Sequence, residues 1–254
     1  MADPHPWIVP RWDAPARVGA LITTRAGGYG RAPFDTLNLG LHVGDDPATV
    51  ARNRARLRAV LPNEPCWLKQ VHGTGVVEAC AAPADAEGDA SVAREAGVVC
   101  AVMVADCLPV LLCDRLGRVV AAAHAGWRGL AAGVLEATVQ GMQVAPSELL
   151  AFLGPAIGPT AFEVGDEVRQ AFLAVDPAAA AAFVARPTDA GPARTPRKWL
   201  ANIYALAARR LGACGVTRVY GGGDCTYRDA GRFFSYRRDG ATGRMAAAIW
   251  LKDE

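Results

Sequence analysis

Two apolar segments flank a short polar turn in the stretch Cys107-Leu-Pro-Val-Leu-Leu-Cys-Asp-Arg-Leu-Gly-Arg-Val-Val-Ala-Ala-Ala-His124. The turn is Asp114-Arg-Leu-Gly117. An aspartate at the first and a glycine at the last of four positions is typical of a type I turn. The sequence therefore predicts a β-hairpin in which residues 110–113 pair with residues 118–123.

The register of this hairpin decides which side chains meet at its open end. If Arg115-Leu116 forms a two-residue loop, Cys107 and His124 are direct cross-strand partners with Cβ atoms about 5 Å apart. A bulge at Gly117, or the missing backbone donor of Pro109, would shift the register by one residue. In either register we expect Cys107 and His124 to lie close together at the strand ends.

Elements on either side of the hairpin alternate between strand and helix. Residues 98–105 form a continuous apolar run, which is typical of a strand covered on both faces. Asp46-Pro47 is a helix start signal, and its helix is expected to end near Leu61. Further strands are predicted at 18–24, within 65–78, and at 149–153 and 216–220, further helices at 127–140, 163–175 and 201–211, and an exposed excursion at 177–197. This alternation, without a sustained repeat, predicts a single α/β domain over residues 1–254.

Composition excludes several classes of protein. The chain has 254 residues with a formal charge of only +2, so no broad basic surface indicates a nucleic acid or an anionic membrane as partner. The hydrophobic fraction of 52% is high enough for a folded core and excludes a largely disordered chain. Seven scattered cysteines without a C-x-x-C pair argue against a disulfide framework. With no visible export signal or membrane span, we expect a cytoplasmic protein.

His72 is the third candidate for a site with Cys107 and His124, because Gly73 and Gly75 beside it permit close approach of a ligand or another strand. Two histidines and one cysteine are a ligand set of catalytic zinc, with one position left open. The spacings are much longer than those of a zinc finger, so a structural thiol beside two hydrogen-bonded histidines stays an alternative. The carboxylate of Asp106 disfavours a free thiolate and makes Asp106 a candidate for proton transfer.

Two glycine-rich segments suggest sites for an anion. Arg25 lies in the loop at 25–30, and Arg128 lies at the predicted helix start at 126–129, where backbone N–H groups favour an anion. Neither segment matches a phosphate-binding loop or a dinucleotide fingerprint. The arginines of the predicted helix at 47–61 alternate in position, so they point to different sides and favour a solvated helix.

Eight ordered motifs carry a resemblance to a known family. They are Thr24-Arg-Ala-Gly-Gly28, Asn38-Leu-Gly40, Lys69-Gln-Val-His-Gly73, Ala105-Asp-Cys-Leu-Pro109, His124-Ala-Gly-Trp-Arg-Gly129, Gly154-Pro-Ala-Ile-Gly158, Cys225-Thr-Tyr227 and Phe233-Phe-Ser-Tyr-Arg-Arg238. Over about residues 15–252 the chain resembles the family variously described as multicopper polyphenol oxidase (laccase domain), peptidoglycan editing factor, and purine nucleoside phosphorylase with adenosine deaminase activity.

The resemblance implies a layered α/β fold with mixed β-sheets flanked by helices, in an α/β/β/α-like order. It implies one Zn²⁺ held by His72, Cys107 and His124, with copper as an alternative metal. The implied reactions are phosphorolysis of adenosine, inosine, guanosine or S-methyl-5′-thioadenosine, and deamination of adenosine. Through their motifs Asn38 and Gln70 become candidates for contact with the nucleoside or phosphate.

Three alternatives to this function remain at this point. Cys107 and His124 could act as nucleophile and base of a hydrolase that edits peptidoglycan precursors. A polyphenol oxidase is harder to build, because the chain has four histidines and a multicopper centre needs more. A purine-binding module with a structural metal needs no catalysis. Similar proteins often have an aspartate in place of Asn202 and an arginine in place of Asp224.

The sequence leaves the oligomeric state open between a monomer and a weak dimer.

Overall fold

The computed structural model describes residues 6–83, 85–186 and 197–253. The strands in these ranges are β1 (Val18–Ile22), β2 (Pro65–Cys66), β3 (Val76–Glu78), β4 (Ala90–Ala93), β5 (Val99–Val104), β6 (Leu108–Asp114), β7 (Val120–Ala125), β8 (Leu149–Leu153), β9 (Glu163–Gly165), β10 (Phe183–Ala185), β11 (Lys198–Ala201), β12 (Arg218–Gly221) and β13 (Met245–Leu251). The α-helices are α1 (Pro47–Arg58), α2 (Trp127–Ala132), α3 (Val134–Gly141), α4 (Asp166–Leu173), α5 (Ile203–Ala213) and α6 (Tyr236–Asp239).

Two mixed sheets lie face to face at the centre of the fold. One has the strand order β1-β13-β5-β2 and the other the order β12-β8-β6-β7-β4-β3, and a shared apolar cluster fills the space between them. Helix α1 packs on the outer face of the first sheet. Helices α2, α3 and α5 pack on the outer face of the second. The predicted layered α/β fold, with mixed sheets flanked by helices, is confirmed.

Strand β5 shows why its sequence is a continuous apolar run. Val99 and Ala101 belong to the cluster under α1, whereas Cys100 and Val102 belong to the cluster between the sheets. Successive side chains of a strand point to opposite faces, and both faces of β5 are covered. The run therefore carries no polar alternation, as the sequence predicts for a strand buried on both sides.

The hairpin of β6 and β7 forms, but its predicted register is wrong by two residues. His124 lies opposite Pro109, and Cys113 lies opposite Val120. The loop is longer than two residues because the Asp114 carboxylate accepts hydrogen bonds from the backbone N–H groups of Arg118, at 2.6 Å, and Val119, at 3.1 Å. Cys107 consequently precedes the paired part of β6, and it still lies at the same end of the hairpin as His124.

The helices follow the predicted starts more closely than the predicted lengths. Asp46 caps α1 and Pro47 occupies its first turn, as expected. The helix predicted over 127–140 is divided at Gly133, whose φ of 104° is left-handed and ends α2. The first part of the predicted excursion at 177–197 instead forms a short 3-10 helix, Pro177–Ala182, followed by β10. Residues 187–196 of that excursion lie outside the described residues.

Two further findings concern the cysteines and the helices. All seven cysteines are free thiols, which agrees with the predicted lack of a disulfide framework. Within the described ranges, every helix is too short or too polar to cross a bilayer.

Candidate metal and substrate site

The side chains of His72, Cys107 and His124 converge at the end of the β6–β7 hairpin. One potential ligand atom from each lies within 4.8 Å of the other two. The Sγ atom of Cys107 is 3.7 Å from Nε2 of His72, and the two imidazole rings meet edge to face with centroids 4.8 Å apart. The three residues that the sequence singled out are thus brought together, and they could hold a metal ion.

Asp89 organises two of these three residues, and the sequence analysis missed it. Its Oδ1 lies 2.8 Å from Nδ1 of His124, so Nε2 of that ring is left to face the cluster. The same carboxylate accepts the backbone N–H groups of Val71, His72 and Gly73 at 3.2, 3.0 and 2.7 Å. Asp89 therefore fixes both the His124 ring and the segment that carries His72, as carboxylates behind metal-binding histidines do.

The charges of the cluster outweigh the effect of burial on its protonation. Burial raises the pKa of the Cys107 thiol, but the opposite effect of His124 and His72 is larger. The pKa of the thiol therefore falls to about 6. Burial lowers the pKa of His124, but the Cys107 thiolate and Asp89 together raise it to about 9. The thiol is thus ionised near neutral pH, and a metal ion that binds Nε2 of His124 must displace a proton.

Two glycines of the His124-Ala-Gly-Trp-Arg-Gly129 motif allow these close approaches. A Cβ atom at Gly126 would lie 2.7 Å from Cδ2 of His72 and 3.0 Å from Sγ of Cys107. A Cβ atom at Gly129 would lie 2.7 Å from the carbonyl oxygen of Gly73. Both positions therefore require glycine because of space.

The cluster opens into a cavity of about 840 Å³. Within the described part of the chain its walls include cationic or imidazole side chains, namely Lys69, His42, Arg54 and Arg244, and the aromatic rings of Trp67 and Tyr236. This volume falls in the range of small-molecule sites in proteins. The cavity places the potential metal ligands and several cations around one space.

Arg54 and Arg244 are partly buried without a carboxylate partner among the described residues. Burial lowers the pKa of both guanidinium groups, although nearby negative charges oppose this change. Burial and these two arginines also lower the pKa of His42. The expected solvated α1 is therefore wrong at Arg54, because its side chain turns toward Trp67 and the cavity.

Two predicted substrate residues lie where they support the cavity. Gln70 lines it, and its amide is paired with the backbone N–H and carbonyl of Met103, at 2.7 and 2.9 Å. Asn38 is fully buried, and its Oδ1 accepts the backbone N–H of Arg244 at 2.9 Å. The geometry gives both amides a positioning function, and a direct contact with substrate stays a prediction.

Two predicted anion-binding arginines are not among the described residues that line this cavity. Arg25 donates hydrogen bonds to Asp35 and to the carbonyl of Ala230, which ties two loops together. Arg128 is exposed, and its guanidinium lies 4.4 Å from the centre of the Trp127 ring. Binding of phosphate by either residue stays a prediction.

Asp106 connects the cluster to two distant motifs. Its carboxylate accepts a hydrogen bond from Oγ1 of Thr226 at 2.6 Å and one from the backbone N–H of Arg237 at 2.7 Å. Its φ of 89° is left-handed, a conformation that aspartate tolerates better than most residues. Both oxygens are engaged in holding the neighbourhood of Cys107, and the predicted proton transfer stays a prediction.

The two departures from the family pattern and Cys225 have structural partners. Asn202 caps α5 by accepting the backbone N–H of Ala205. The Asp224 carboxylate pairs with Arg232 at 2.9 Å. Cys225 accepts the N–H of Gly158 at 3.2 Å and is not part of the His–Cys–His group found in the described residues.

Fold and site together define a layered α/β protein with a His–Cys–His group at the open end of the β6–β7 hairpin. The family model described as multi-copper polyphenol oxidoreductase laccase matches residues 19–252. The chain belongs to this family, as the resemblance of its motifs indicates.

Curated relatives cover nearly the whole chain. The purine nucleoside phosphorylase PA4543 of Pseudomonas aeruginosa is 57% identical over 97% of this chain and 99% of its own length. The purine nucleoside phosphorylase YfiH of Escherichia coli is 54% identical over 96% of this chain and 98% of its own length. The similarity therefore extends over nearly the full length of this chain and of each relative.

Solved structures show the same fold. Protein NMB0706 of Neisseria meningitidis has a TM-score of 0.89 at 51% identity and covers 97% of this chain and 99% of its own. YlmD of Geobacillus stearothermophilus has a TM-score of 0.83 at 31% identity and covers 100% of this chain and 98% of its own.

Proposed function

We propose that this protein is a zinc-dependent purine nucleoside phosphorylase. One observation carries the proposal: a single cavity contains the His–Cys–His group and the side chains of Arg54 and Arg244, which lack carboxylate partners in the described residues. Partly buried cations that form no salt bridge are suited to an anionic substrate such as phosphate. The relatives in Pseudomonas aeruginosa and Escherichia coli are purine nucleoside phosphorylases by name, which supports a nucleoside as the second substrate.

Zinc is the metal that the donor set favours. Two imidazoles and a thiolate are a known zinc set, and tetrahedral bonds of about 2.0–2.3 Å place two ligand atoms roughly 3.3–3.7 Å apart. The distance of 3.7 Å between Sγ of Cys107 and Nε2 of His72 agrees with such a site, and the three ligand atoms, which lie within 4.8 Å of one another, would draw together around the ion. When bound, zinc would supply Lewis-acid polarisation of a substrate oxygen. The chain has four histidines, and only His42 and His5 remain beside His72 and His124. A multicopper cluster, which needs more imidazoles, is therefore not supported.

The cations of the cavity would hold phosphate for attack. Arg54 donates Nε to the carbonyl of Leu39 and Arg244 donates to the carbonyl of Thr242, so both guanidinium groups are anchored and retain further N–H donors. His42, whose pKa is lowered, can donate one N–H while neutral. These groups would neutralise the charge of phosphate and orient it toward the ribose.

The reaction exchanges one bond at the ribose. A phosphate oxygen forms a bond to C1′, the C1′–N9 bond breaks, and its electron pair passes to the purine, which takes up the proton that hydrogen phosphate loses. Adenosine, inosine, guanosine and S-methyl-5′-thioadenosine all contain this bond, and the resemblance predicts all four as substrates. The hydrolytic deamination of adenosine also stays a prediction, and it is measured separately as inosine formed without phosphate.

Phosphorolysis and phosphate binding can be tested in one kinetic series. Purified protein is expected to convert inosine and phosphate to hypoxanthine and ribose 1-phosphate. Arg244→Met should raise the KM for phosphate at least about tenfold, whereas Arg218→Met, at an exposed position of β12, should leave it unchanged. Hypoxanthine released at the same rate without phosphate would show hydrolysis and contradict the proposal.

A further inference from the structure

A second cavity adjoins the one that contains the metal group. Its volume is about 520 Å³. Four residues line both cavities, namely Leu41, Arg54, Trp67 and Asp85, and we call them the border group. Among the described residues that line the second cavity, none belongs to the His–Cys–His group. The border group therefore lies on the side of the first cavity that leads away from the metal ligands.

Trp67 is fixed in the border group by two contacts. Its Nε1 donates a hydrogen bond to Oε1 of Glu64 at 2.7 Å. The guanidinium of Arg54 lies 4.3 Å from the centre of its ring. Because its one donor is used and Arg54 covers one face of the ring, Trp67 can offer a ligand only its other aromatic face.

Asp85 supplies the polar contact of the border group. Its side chain is exposed, and within the described part of the chain its carboxylate accepts no hydrogen bond. Asp85 lines both cavities together with Arg54 and Trp67, and its negative charge acts to raise the pKa of the Arg54 guanidinium. A free carboxylate accepts N–H donors, so the group combines a flat aromatic surface with an acceptor.

We propose that Trp67 and Asp85 of the border group form the subsite for the purine base, while Arg54 keeps its function toward phosphate. The base stacks at Trp67 and donates a ring or amino N–H to Asp85, while the ribose points toward the His–Cys–His group. Aromatic stacking together with hydrogen bonds to the base edge is the general mode by which proteins bind single bases. This inference rests on the proposed function, since it assigns the base of the same nucleoside.

Tyr236 is the competing stacking partner. It lines the first cavity from α6 and is 63% exposed. It is absent from the described lining of the second cavity, and the carboxylate of the nearby Asp239 is occupied by Arg238. The presence of the free Asp85 carboxylate in the same group as Trp67 favours Trp67.

The test compares three nucleosides that differ in N–H donors on the six-membered ring: inosine, adenosine, and purine riboside, which has none. Asp85→Asn should lower kcat/KM for inosine and adenosine by about 10- to 100-fold and change purine riboside less than about threefold. Trp67→Ala should lower all three by about 10- to 100-fold. The matched control is Glu95→Gln, an exposed carboxylate that is not among the described residues lining either cavity, and it should behave as wild type.

Equal losses for all three nucleosides in Asp85→Asn, or a larger loss in Tyr236→Ala than in Trp67→Ala, would overturn the subsite. Calorimetric binding of hypoxanthine separates this failure from failure of the proposed function. If wild type shows no phosphorolysis but binds hypoxanthine, and Asp85→Asn weakens that binding about tenfold or more, the subsite stands while the proposed function fails. If wild type does not bind hypoxanthine, the subsite is overturned whatever the turnover.

Discussion

The Oδ1 atom of Asp89 lies 2.8 Å from Nδ1 of His124, and the same carboxylate receives three backbone N–H groups from the segment around His72. One buried carboxylate thus orients two of the three potential metal ligands. The ligands come from segments 52 positions apart in the chain, so this contact is what makes them one site.

Asp89→Asn should weaken zinc binding by about 10- to 100-fold, because the amide cannot satisfy all the donors that face the carboxylate. The dissociation constant can be measured by competition with a chelator, with circular dichroism to verify folding. An unchanged zinc affinity in a folded variant would show that Asp89 does not support the metal ligands.

Gly126→Ala should separate His72 from Cys107. The backbone of Gly126, with φ of −60° and ψ of 154°, accommodates alanine, so the contact of the new Cβ with His72 and Cys107 is the change. We expect zinc affinity to fall at least about tenfold, with the circular dichroism spectrum retained. Gly212→Ala in α5 is the control, because no described atom outside the neighbouring backbone of its own helix lies within 4 Å of its Cβ position, and it should bind zinc normally. Equal zinc affinity in the two variants would refute the steric explanation.

Asp106→Asn distinguishes a positioning residue from a proton carrier. Asparagine tolerates the left-handed φ but offers one acceptor oxygen where Thr226 and Arg237 need two. As a positioning residue, Asp106→Asn should lower kcat/KM and leave the shape of its pH profile intact, and Thr226→Val should do the same. Loss of one limb of the profile in Asp106→Asn alone would assign proton transfer to Asp106.

The turn of the β6–β7 hairpin should be sensitive to acid. Burial raises the pKa of Asp114, but its hydrogen bonds with Arg118 and Val119 and the charge of Arg118 lower it below 3.8. A carboxyl whose folded-state pKa is depressed stabilises the fold above its unfolded pKa, and that stabilisation is lost as pH falls through the folded value. Asp114→Asn should therefore lower the free energy of unfolding by about 1–3 kcal/mol at neutral pH.

The measurement is urea unfolding of wild type and Asp114→Asn from pH 7 to pH 3. Other carboxylates titrate in both proteins, so the difference between the two is the informative quantity. The difference in the free energy of unfolding should shrink as pH falls below 3.8. A constant difference over this range would show that the ionised Asp114 carboxylate does not stabilise the turn.

The sequence predicts those features that depend on local pattern. The apolar run of β5 and the cap at Asp46 have local causes, and both are observed. The convergence of Cys107 and His124 follows from a hairpin, because pairing brings strand ends together even when the register is wrong. The register itself depends on side-chain hydrogen bonds of Asp114 within the loop, which the turn signature does not specify.

The missed residues depend on contacts between distant segments. Asp89 lies at the end of a small-residue loop, and its importance comes from contacts with residues 71–73 and 124. Arg54 resembles its neighbours on α1, and its turn toward Trp67 is set by packing. Arg244 is held through Asn38, more than two hundred positions earlier. Contacts between such distant segments cannot be predicted from a local sequence pattern.

We predict that phosphorolysis depends on one zinc ion held by His72, Cys107 and His124. To measure this dependence, metal-free protein is titrated with zinc while hypoxanthine formation from inosine and phosphate is followed, with Cys107→Ala in parallel. We predict that turnover rises linearly and reaches a plateau at about one equivalent of zinc, and that Cys107→Ala neither retains zinc nor turns over substrate. Full turnover by the metal-free protein would contradict the dependence of phosphorolysis on zinc.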